Sequence, residues 1–82
     1  MKAEKYLNNL SKDQKRLIKG LTIDKIIYRK NHLELIIFKE PDEEGYLRTI
    51  NNSNFVEDYS QERYKNKIEK YKNNKDYKIV KK

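Results

Sequence analysis

Residues 23–40 constrain the fold most, because their apolar side chains lie on both faces of two predicted β-strands. The two β-rich runs, residues 23–29 and 33–39, flank Lys30-Asn31, and asparagine accepts the positive φ of a two-residue hairpin turn. In the second run, Leu33, Leu35 and Ile37 share one predicted face, and Ile36 and Phe38 share the other. A strand that is apolar on both faces is typical of the centre of a sheet covered on both sides.

The segment before this hairpin, residues 1–21, has the features of one or two short helices. Ser11-Lys12-Asp13-Gln14 fits a capping box, in which the Ser11 hydroxyl accepts from the Gln14 amide and the Gln14 side chain reaches back. Gly20 tolerates a left-handed conformation and is a natural helix stop. We therefore expect a helical N-terminal segment with a cap or kink at Ser11.

After the hairpin, the sequence predicts a third strand, a helix and a tail. Residues 46–50 complete a three-stranded antiparallel meander over residues 23–50, and residues 54–73 form a basic C-terminal helix packed on one sheet face. Residues 74–82 form a basic tail or a short edge strand, because Tyr77 and Ile79 alternate with Lys78 and Val80. The predicted fold class is α+β, in a single domain covering residues 1–82.

The apolar pattern of residues 54–73 has a break. Phe55, Val56 and Tyr59 form one stripe, and Tyr64, Ile68 and Tyr71 form a second. At about 100° per residue the two stripes point in directions more than about 90° apart on a straight helix. Either the helix bends near Ser60, or only one stripe packs on the sheet.

Composition excludes several classes of protein. The chain of 82 residues has no cysteine, so disulfides, thiolate catalysis and Cys-ligated zinc are absent. It begins without the apolar run of a signal peptide and has no stretch approaching the roughly 20 apolar residues of a membrane span. We expect a cytoplasmic protein with no cofactor and no membrane partner.

No residue pattern predicts catalysis. His32 is the single histidine and falls at the predicted hairpin turn, where an exposed turn residue is expected rather than a base or a metal ligand. The serines have no nucleophile motif, and the two isolated glycines form no phosphate loop. The acidic loop Asp42, Glu43 and Glu44 lacks the ligand spacing of a calcium loop, so we predict a solvated turn. The same acids could instead contact a basic partner or restrain the basic segments of the chain electrostatically. We predict a protein that is not an enzyme and has no metal site.

Charge is divided unevenly along the chain. Residues 1–39 carry a net charge of +6, residues 40–58 carry −5, and residues 59–82 carry +6, which sum to +7. Half of the chain is Lys, Asn, Ile or Tyr, a mixture that an AT-rich genome also produces. Codon bias alone does not sort Lys from Glu along a chain, so the division of charge suggests a polyanionic partner.

The basic C-terminal segment is the predicted nucleic-acid-binding surface. Arg63, Lys67 and Lys70 form a row at helical spacing, and Lys65 and Lys72 flank the stripe of Tyr64, Ile68 and Tyr71. Lys78 extends the charge beyond the helix. We expect the tyrosines to pack on the sheet rather than stack on bases, with the lysines reaching into water. The predicted phosphate contacts are Arg63, Lys65, Lys67, Lys70, Lys72 and Lys78.

Three functions agree with these features. The first is a small non-catalytic nucleic-acid-binding accessory protein of a phage or mobile element. The second is a protein-binding inhibitor or adaptor that acts on host nucleoprotein machinery, including CRISPR effectors, through its basic surfaces or through residues 42–44. The third is a small basic ribonuclease-like toxin. The expected partner is nucleic acid or a protein complex that binds it, and uncovered apolar sheet surface would favour a homodimer.

Overall fold

One five-stranded antiparallel sheet with three helices makes up the computed structural model, which describes residues 2–82. In chain order the elements are α1 (Lys2–Asn8), α2 (Lys12–Ile18), β1 (Ile23–Arg29), β2 (His32–Pro41), β3 (Leu47–Asn51), β4 (Val56–Tyr59), α3 (Gln61–Lys72) and β5 (Tyr77–Lys81). The strand order is β4-β3-β2-β1-β5, so β2 is central and β4 and β5 form the edges. The predicted α+β class is confirmed.

The β1–β2 hairpin turns at Lys30-Asn31, as the sequence predicts. Both turn residues have positive φ, 47° at Lys30 and 71° at Asn31, as in a type I′ turn. An irregularity in the β1–β2 pairing between Ile27 and Tyr28 shifts the register by one residue. This shift places Leu33 with the apolar cluster opposite that of Leu35, so the prediction that these two share a face is wrong.

Helices cover the central strand β2 on both faces, which confirms the interpretation of its two-sided apolar pattern. Ile36 and Ile37 are both 0% exposed and point to opposite sides of the sheet. On one side, Ala3 of α1 and the following Leu10 pack with Ile36. On the other side, Ile37 packs with Tyr71 of α3 and Tyr59 of β4.

Helix α2 begins and ends where the local sequence predicts. The Ser11 hydroxyl accepts from the Gln14 amide at 3.2 Å, and the Gln14 side chain accepts from the Ser11 amide at 3.0 Å. Both hydrogen bonds of the capping box are therefore present. Gly20, two residues after α2, has a φ of 82°. The chain then turns into β1.

The predicted three-stranded meander and the helix at residues 54–73 need correction. Residues 56–59 are strand β4, paired antiparallel with β3, and the helix begins only at Gln61. Ser60 is the N-cap of α3, and its hydroxyl accepts from the Arg63 amide at 3.2 Å. Asn54 has a φ of 65° within the β3–β4 turn and is not a helix cap. The break in the apolar pattern near Ser60 thus marks a boundary between a strand and a helix.

The basic tail predicted for residues 74–82 contains strand β5, which pairs antiparallel with β1. In this pairing Tyr28 lies opposite Lys78, and Ile26 lies opposite Val80. The sequence predicted either a basic tail or a short edge strand here, and the edge strand is confirmed. Within residues 2–82, no helix has the length and apolarity needed to cross a membrane.

Candidate functional site

Helices α1 and α2 lie on one face of the sheet, and hydrogen bonds connect them to its β3–β4 half. The Tyr6 hydroxyl donates to the backbone carbonyl of Asn51 in β3. Arg48 of β3 donates through Nη1 to the carbonyl oxygen of Leu17 in α2, at 2.7 Å. Because both anchors lie on the same half of the sheet, the helices leave the β1–β5 half of this face incompletely covered. Tyr28 there is only half-buried, and Lys78 is exposed.

An open groove of about 430 Å³ occupies this uncovered part of the sheet. We call it the β1–β5 groove, and its lining includes Tyr28, Lys30, Asn31, Lys75, Lys78 and Val80. Lys78 and Val80 face the same side of the sheet as Tyr28 and Ile26, because cross-strand partners in an antiparallel pair share a face. Tyr28 and Val80 therefore form an apolar floor, and the rest of the lining combines the three lysines with Asn31, Asp76 and Tyr77.

Two chain segments that are distant in sequence meet at one end of the groove. The Lys30 amide, in the hairpin turn, donates to the Asp76 carbonyl oxygen at 3.2 Å. The Asn74 side chain accepts from the Asp76 amide at 3.0 Å, which shapes the loop between α3 and β5. These hydrogen bonds hold Lys75 in the same groove as Lys30.

The lysines of the β1–β5 groove are not neutralised by ion pairs. Within residues 2–82, the side chains of Lys30, Lys75 and Lys78 make no salt bridge or hydrogen bond. Asp76 also lines the groove, so three cations and one carboxylate give a local charge of +2. An apolar floor bearing an aromatic ring, surrounded by free cations, can bind a phosphate-bearing ligand with a flat apolar part.

Arg63, which the sequence places in the phosphate-binding row, is held within the fold. Its guanidinium donates to a Glu57 carboxylate oxygen at 3.1 Å and lies 4.1 Å from the centroid of the Tyr59 ring. Glu57 and Tyr59 both belong to β4, which the sequence analysis assigned to the helix. The side chain of Arg63 thus links the first turn of α3 to the sheet edge.

The other cations of α3 differ in their surroundings. Lys67 is half-buried, with its ammonium 5.8 Å from the centroid of the Tyr71 ring. Three lysines are exposed and have no ion-pair partner in the described part of the chain: Lys65, Lys70 and Lys72. The stripe Tyr64, Ile68 and Tyr71 packs on the sheet, as predicted, and burial raises the pKa of Tyr71 to about 12.

Lys25, Asp24 and Tyr64 form a cluster of side chains that sequence analysis did not single out. The Lys25 ammonium donates to Asp24 at 2.7 Å and to the Tyr64 hydroxyl at 2.6 Å. Burial alone would lower the pKa of Lys25, but its hydrogen bonds to Asp24 and Tyr64 outweigh burial and raise this pKa. A lysine whose pKa is raised stays charged, so it is suited to fastening α3 to β1 rather than to accepting a proton.

Neither the acidic loop nor His32 lines the β1–β5 groove. An Asp42 carboxylate oxygen accepts from the amides of Glu44 and Tyr46, both at 2.9 Å, so Asp42 shapes its own loop. Glu43 and Glu44 are exposed. His32 is exposed at the start of β2. In residues 2–82 no group of three or more His, Cys, Asp or Glu side chains is arranged to hold a metal ion.

Of the six predicted contact residues, Lys78 alone lines the β1–β5 groove. Tyr28, Lys30 and Lys75 join it there, although the sequence analysis assigned them no binding role. One signal was available in the sequence: lysine is an unfavourable residue for a turn that requires positive φ. These residues meet in one groove because β5 pairs with β1, and this pairing joins residues about 50 positions apart.

Comparisons of the chain with protein-family models, with curated proteins and with solved structures found no match.

Proposed function

We propose that the protein is a small, non-catalytic nucleic-acid-binding accessory protein. It contacts phosphates through the β1–β5 groove and through exposed lysines of α3. One observation carries the proposal. Lys30, Lys75 and Lys78 come from a hairpin turn, a loop and a strand, yet they line a single groove without ion-pair partners in residues 2–82. Phosphate contacts made by lysine and arginine supply most of the affinity of non-specific nucleic-acid binding.

The backbone at Lys30 supports a role for this lysine outside folding. Its φ of 47° lies in the left-handed region, which costs a residue with a Cβ about 1 kcal/mol or more. Glycine or asparagine would suit the turn better. Residues held in such conformations cluster at functional sites, where the strain is offset elsewhere in the fold. Lys30 therefore gives the groove a cation at a position that folding alone does not favour.

The six cations predicted from the sequence divide into two groups within this proposal. Lys65, Lys70 and Lys72 on α3 are exposed and free to reach phosphates, as is Lys78 in the groove. Arg63 and Lys67 lie against tyrosine rings, and Arg63 is also paired with Glu57. To reach a phosphate, Arg63 must leave its ion pair and both residues must leave their ring contacts, so these two contribute less to binding.

Fluorescence anisotropy of a labelled oligonucleotide tests this function. Three phosphate contacts on a single strand predict that affinity falls about 20-fold or more as salt rises from about 50 to about 200 mM. Absence of binding at the lower salt concentration, or an affinity that salt does not change, overturns the proposal.

A pull-down from a bacterial lysate, with and without nuclease, separates this function from that of a protein-binding inhibitor. Nucleic-acid binding predicts that captured material is lost after nuclease treatment. Protein partners that persist after nuclease treatment, in the absence of direct oligonucleotide binding, would instead support the inhibitor.

A further inference from the structure

We propose that the β1–β5 groove binds single-stranded nucleic acid, with one unpaired base stacked on the ring of Tyr28. This inference rests on the proposed function and names the form of nucleic acid that the groove takes. It assigns a binding role to Tyr28. Of the C-terminal tyrosines, Tyr59, Tyr64 and Tyr71 pack in the second apolar cluster, whereas Tyr77 packs against that cluster and also lines the groove.

Tyr28 is placed as a fixed aromatic platform. The residue is half-buried, packs at the border of the first apolar cluster, and lines the groove. A ring held by packing on one side loses little further freedom when a base stacks on it. Lys78 lies directly across from Tyr28, where the Cβ atoms of cross-strand partners are about 4.5–5.5 Å apart. A lysine at this distance can contact a phosphate of a nucleotide whose base lies on the ring.

The size and shape of the groove favour a single strand over a duplex. The groove is open, and its volume of about 430 Å³ is comparable in size to that of small-ligand sites. The bases of a duplex are stacked on each other, so none can lie flat on a tyrosine at the floor of a groove. Proteins that read duplex DNA commonly insert a helix or a β-ribbon into the major groove. Here α1 and α2 have only seven residues each, and the exposed residues of α3 include Glu62 and Glu69 among its lysines.

The charge around the groove agrees with the same ligand. Lysines at the rim contact the backbone without regard to base, and a tyrosine can stack on any base. This combination predicts binding with little sequence preference. An acidic peptide would satisfy the lysines but has no flat ring system to place on Tyr28. The contribution of Tyr28 therefore distinguishes a nucleic acid from an acidic peptide.

Fluorescence anisotropy with labelled oligonucleotides of about 12 nucleotides, a typical length for such sites, tests this inference. The probes are oligo(dT), oligo(U) and a hairpin duplex with the same number of phosphates. The variants are Tyr28→Leu, Tyr28→Phe and, as a matched control outside the groove, Tyr46→Leu. Tyr46 is also a tyrosine, 40% exposed, and it does not line the groove.

We expect Tyr28→Leu to weaken single-strand binding by about 5- to 150-fold, the range that corresponds to loss of one stacked base. Tyr28→Phe keeps the ring and should stay within about twofold of the unmodified protein, as should Tyr46→Leu. Equal affinity for the hairpin duplex and the single strands, or an unchanged affinity in Tyr28→Leu, overturns the inference. So does displacement of oligo(dT) by a poly-glutamate peptide at equal charge concentration.

A measurement on the unmodified protein covers the case in which Tyr28→Leu does not fold. In a proton NMR titration with oligo(dT), the ring signals of Tyr28 should shift and those of Tyr46 should not. Unshifted Tyr28 signals at saturation overturn the stacking inference. If the protein in that case still binds both duplex and single strand in a salt-dependent way, the proposed function stands. If it binds neither probe, both proposals fail.

Discussion

Tyr28 and Lys78 lie opposite each other on β1 and β5, on the sheet face that α1 and α2 leave incompletely covered. The pair sets an aromatic ring beside a free cation at the edge of a sheet. Lysines on an edge strand also discourage pairing with another chain, which is a common way for proteins to protect such edges. Substituting Lys30 or Lys75 separates this protective role from binding, because protection of the β5 edge requires neither residue.

Replacing Lys30 with asparagine should improve folding and impair binding. Asparagine accepts positive φ more readily than lysine, so the free energy of unfolding should rise by about 0.5–1 kcal/mol. Affinity for an oligonucleotide should fall severalfold, because one phosphate contact is lost. Urea unfolding and anisotropy measure the two effects.

Lys30→Arg is the matched control for this change, because it keeps both the charge and the Cβ at positive φ. Its stability and affinity should match those of the unmodified protein. If Lys30→Asn gains stability but keeps full affinity, Lys30 is not a phosphate contact.

Arg63→Gln should affect stability more than binding. The substitution removes an exposed ion pair with Glu57 and a contact with the Tyr59 ring, together worth about 0.5–1 kcal/mol. Affinity for an oligonucleotide should stay within about twofold. Thermal unfolding and anisotropy measure the two quantities.

Lys72→Gln gives the comparison for Arg63→Gln, because Lys72 is exposed at the end of α3 with no ion-pair partner in the described residues. It should leave stability unchanged and lower affinity more than Arg63→Gln does. The reverse order of affinities would favour the row of Arg63, Lys67 and Lys70 as the main contact surface.

Local signals in the sequence were sufficient for the hairpin turn and for the N-cap of α2, but not for the N-cap of α3. The capping box at Ser11 and the turn at Lys30-Asn31 depend on neighbouring residues, and both form as predicted. The two-sided apolar pattern of β2 likewise indicated a central strand, because alternation determines which face each side chain takes. Leu33 was misplaced because a pairing irregularity changes the alternation, and the sequence carries no clear mark of it.

Strand β4 could not be recognised from its own residues. Phe55, Val56 and Tyr59 are spaced as on a helix, and Glu57 and Asp58 are unfavourable in strands. Contacts with β3 determine its conformation. The Thr49 hydroxyl donates to the Glu57 carbonyl oxygen at 2.9 Å, and Arg48 forms a forked pair with Asp58. The β1–β5 groove was missed for the same reason, because long-range strand pairing assembles it.

The bidentate ion pair of Arg48 and Asp58 should make the free energy of unfolding depend on pH. The hydrogen bond from Arg48 holds the pKa of Asp58 below its ordinary value of 3.8. A carboxyl group whose pKa is lower in the folded protein stabilises it above the ordinary pKa. That contribution disappears as the pH falls through the lowered pKa. Because both side chains are about one-third exposed, the contribution should be at most about 1 kcal/mol.

Asp58→Asn tests this dependence on pH. The variant should be less stable than the unmodified protein at neutral pH, and the difference should shrink as the pH falls below the ordinary aspartate pKa of 3.8. Thermal unfolding across this pH range measures it. A difference in melting temperature that stays constant down to the lowest pH would show that the ionised Asp58 does not stabilise the fold.

Oligonucleotide affinity measured against salt concentration, in two variants of equal charge, tests the β1–β5 groove most directly. One variant replaces Lys30, Lys75 and Lys78 with glutamine, and the other replaces Lys12, Lys15 and Lys19, which are exposed on and beside α2. Both lower the net charge of +7 by three. The groove variant should lose about two units of the slope of log affinity against log salt, and the α2 variant should keep the original slope. Equal losses of slope in the two variants would contradict a specific role for the groove.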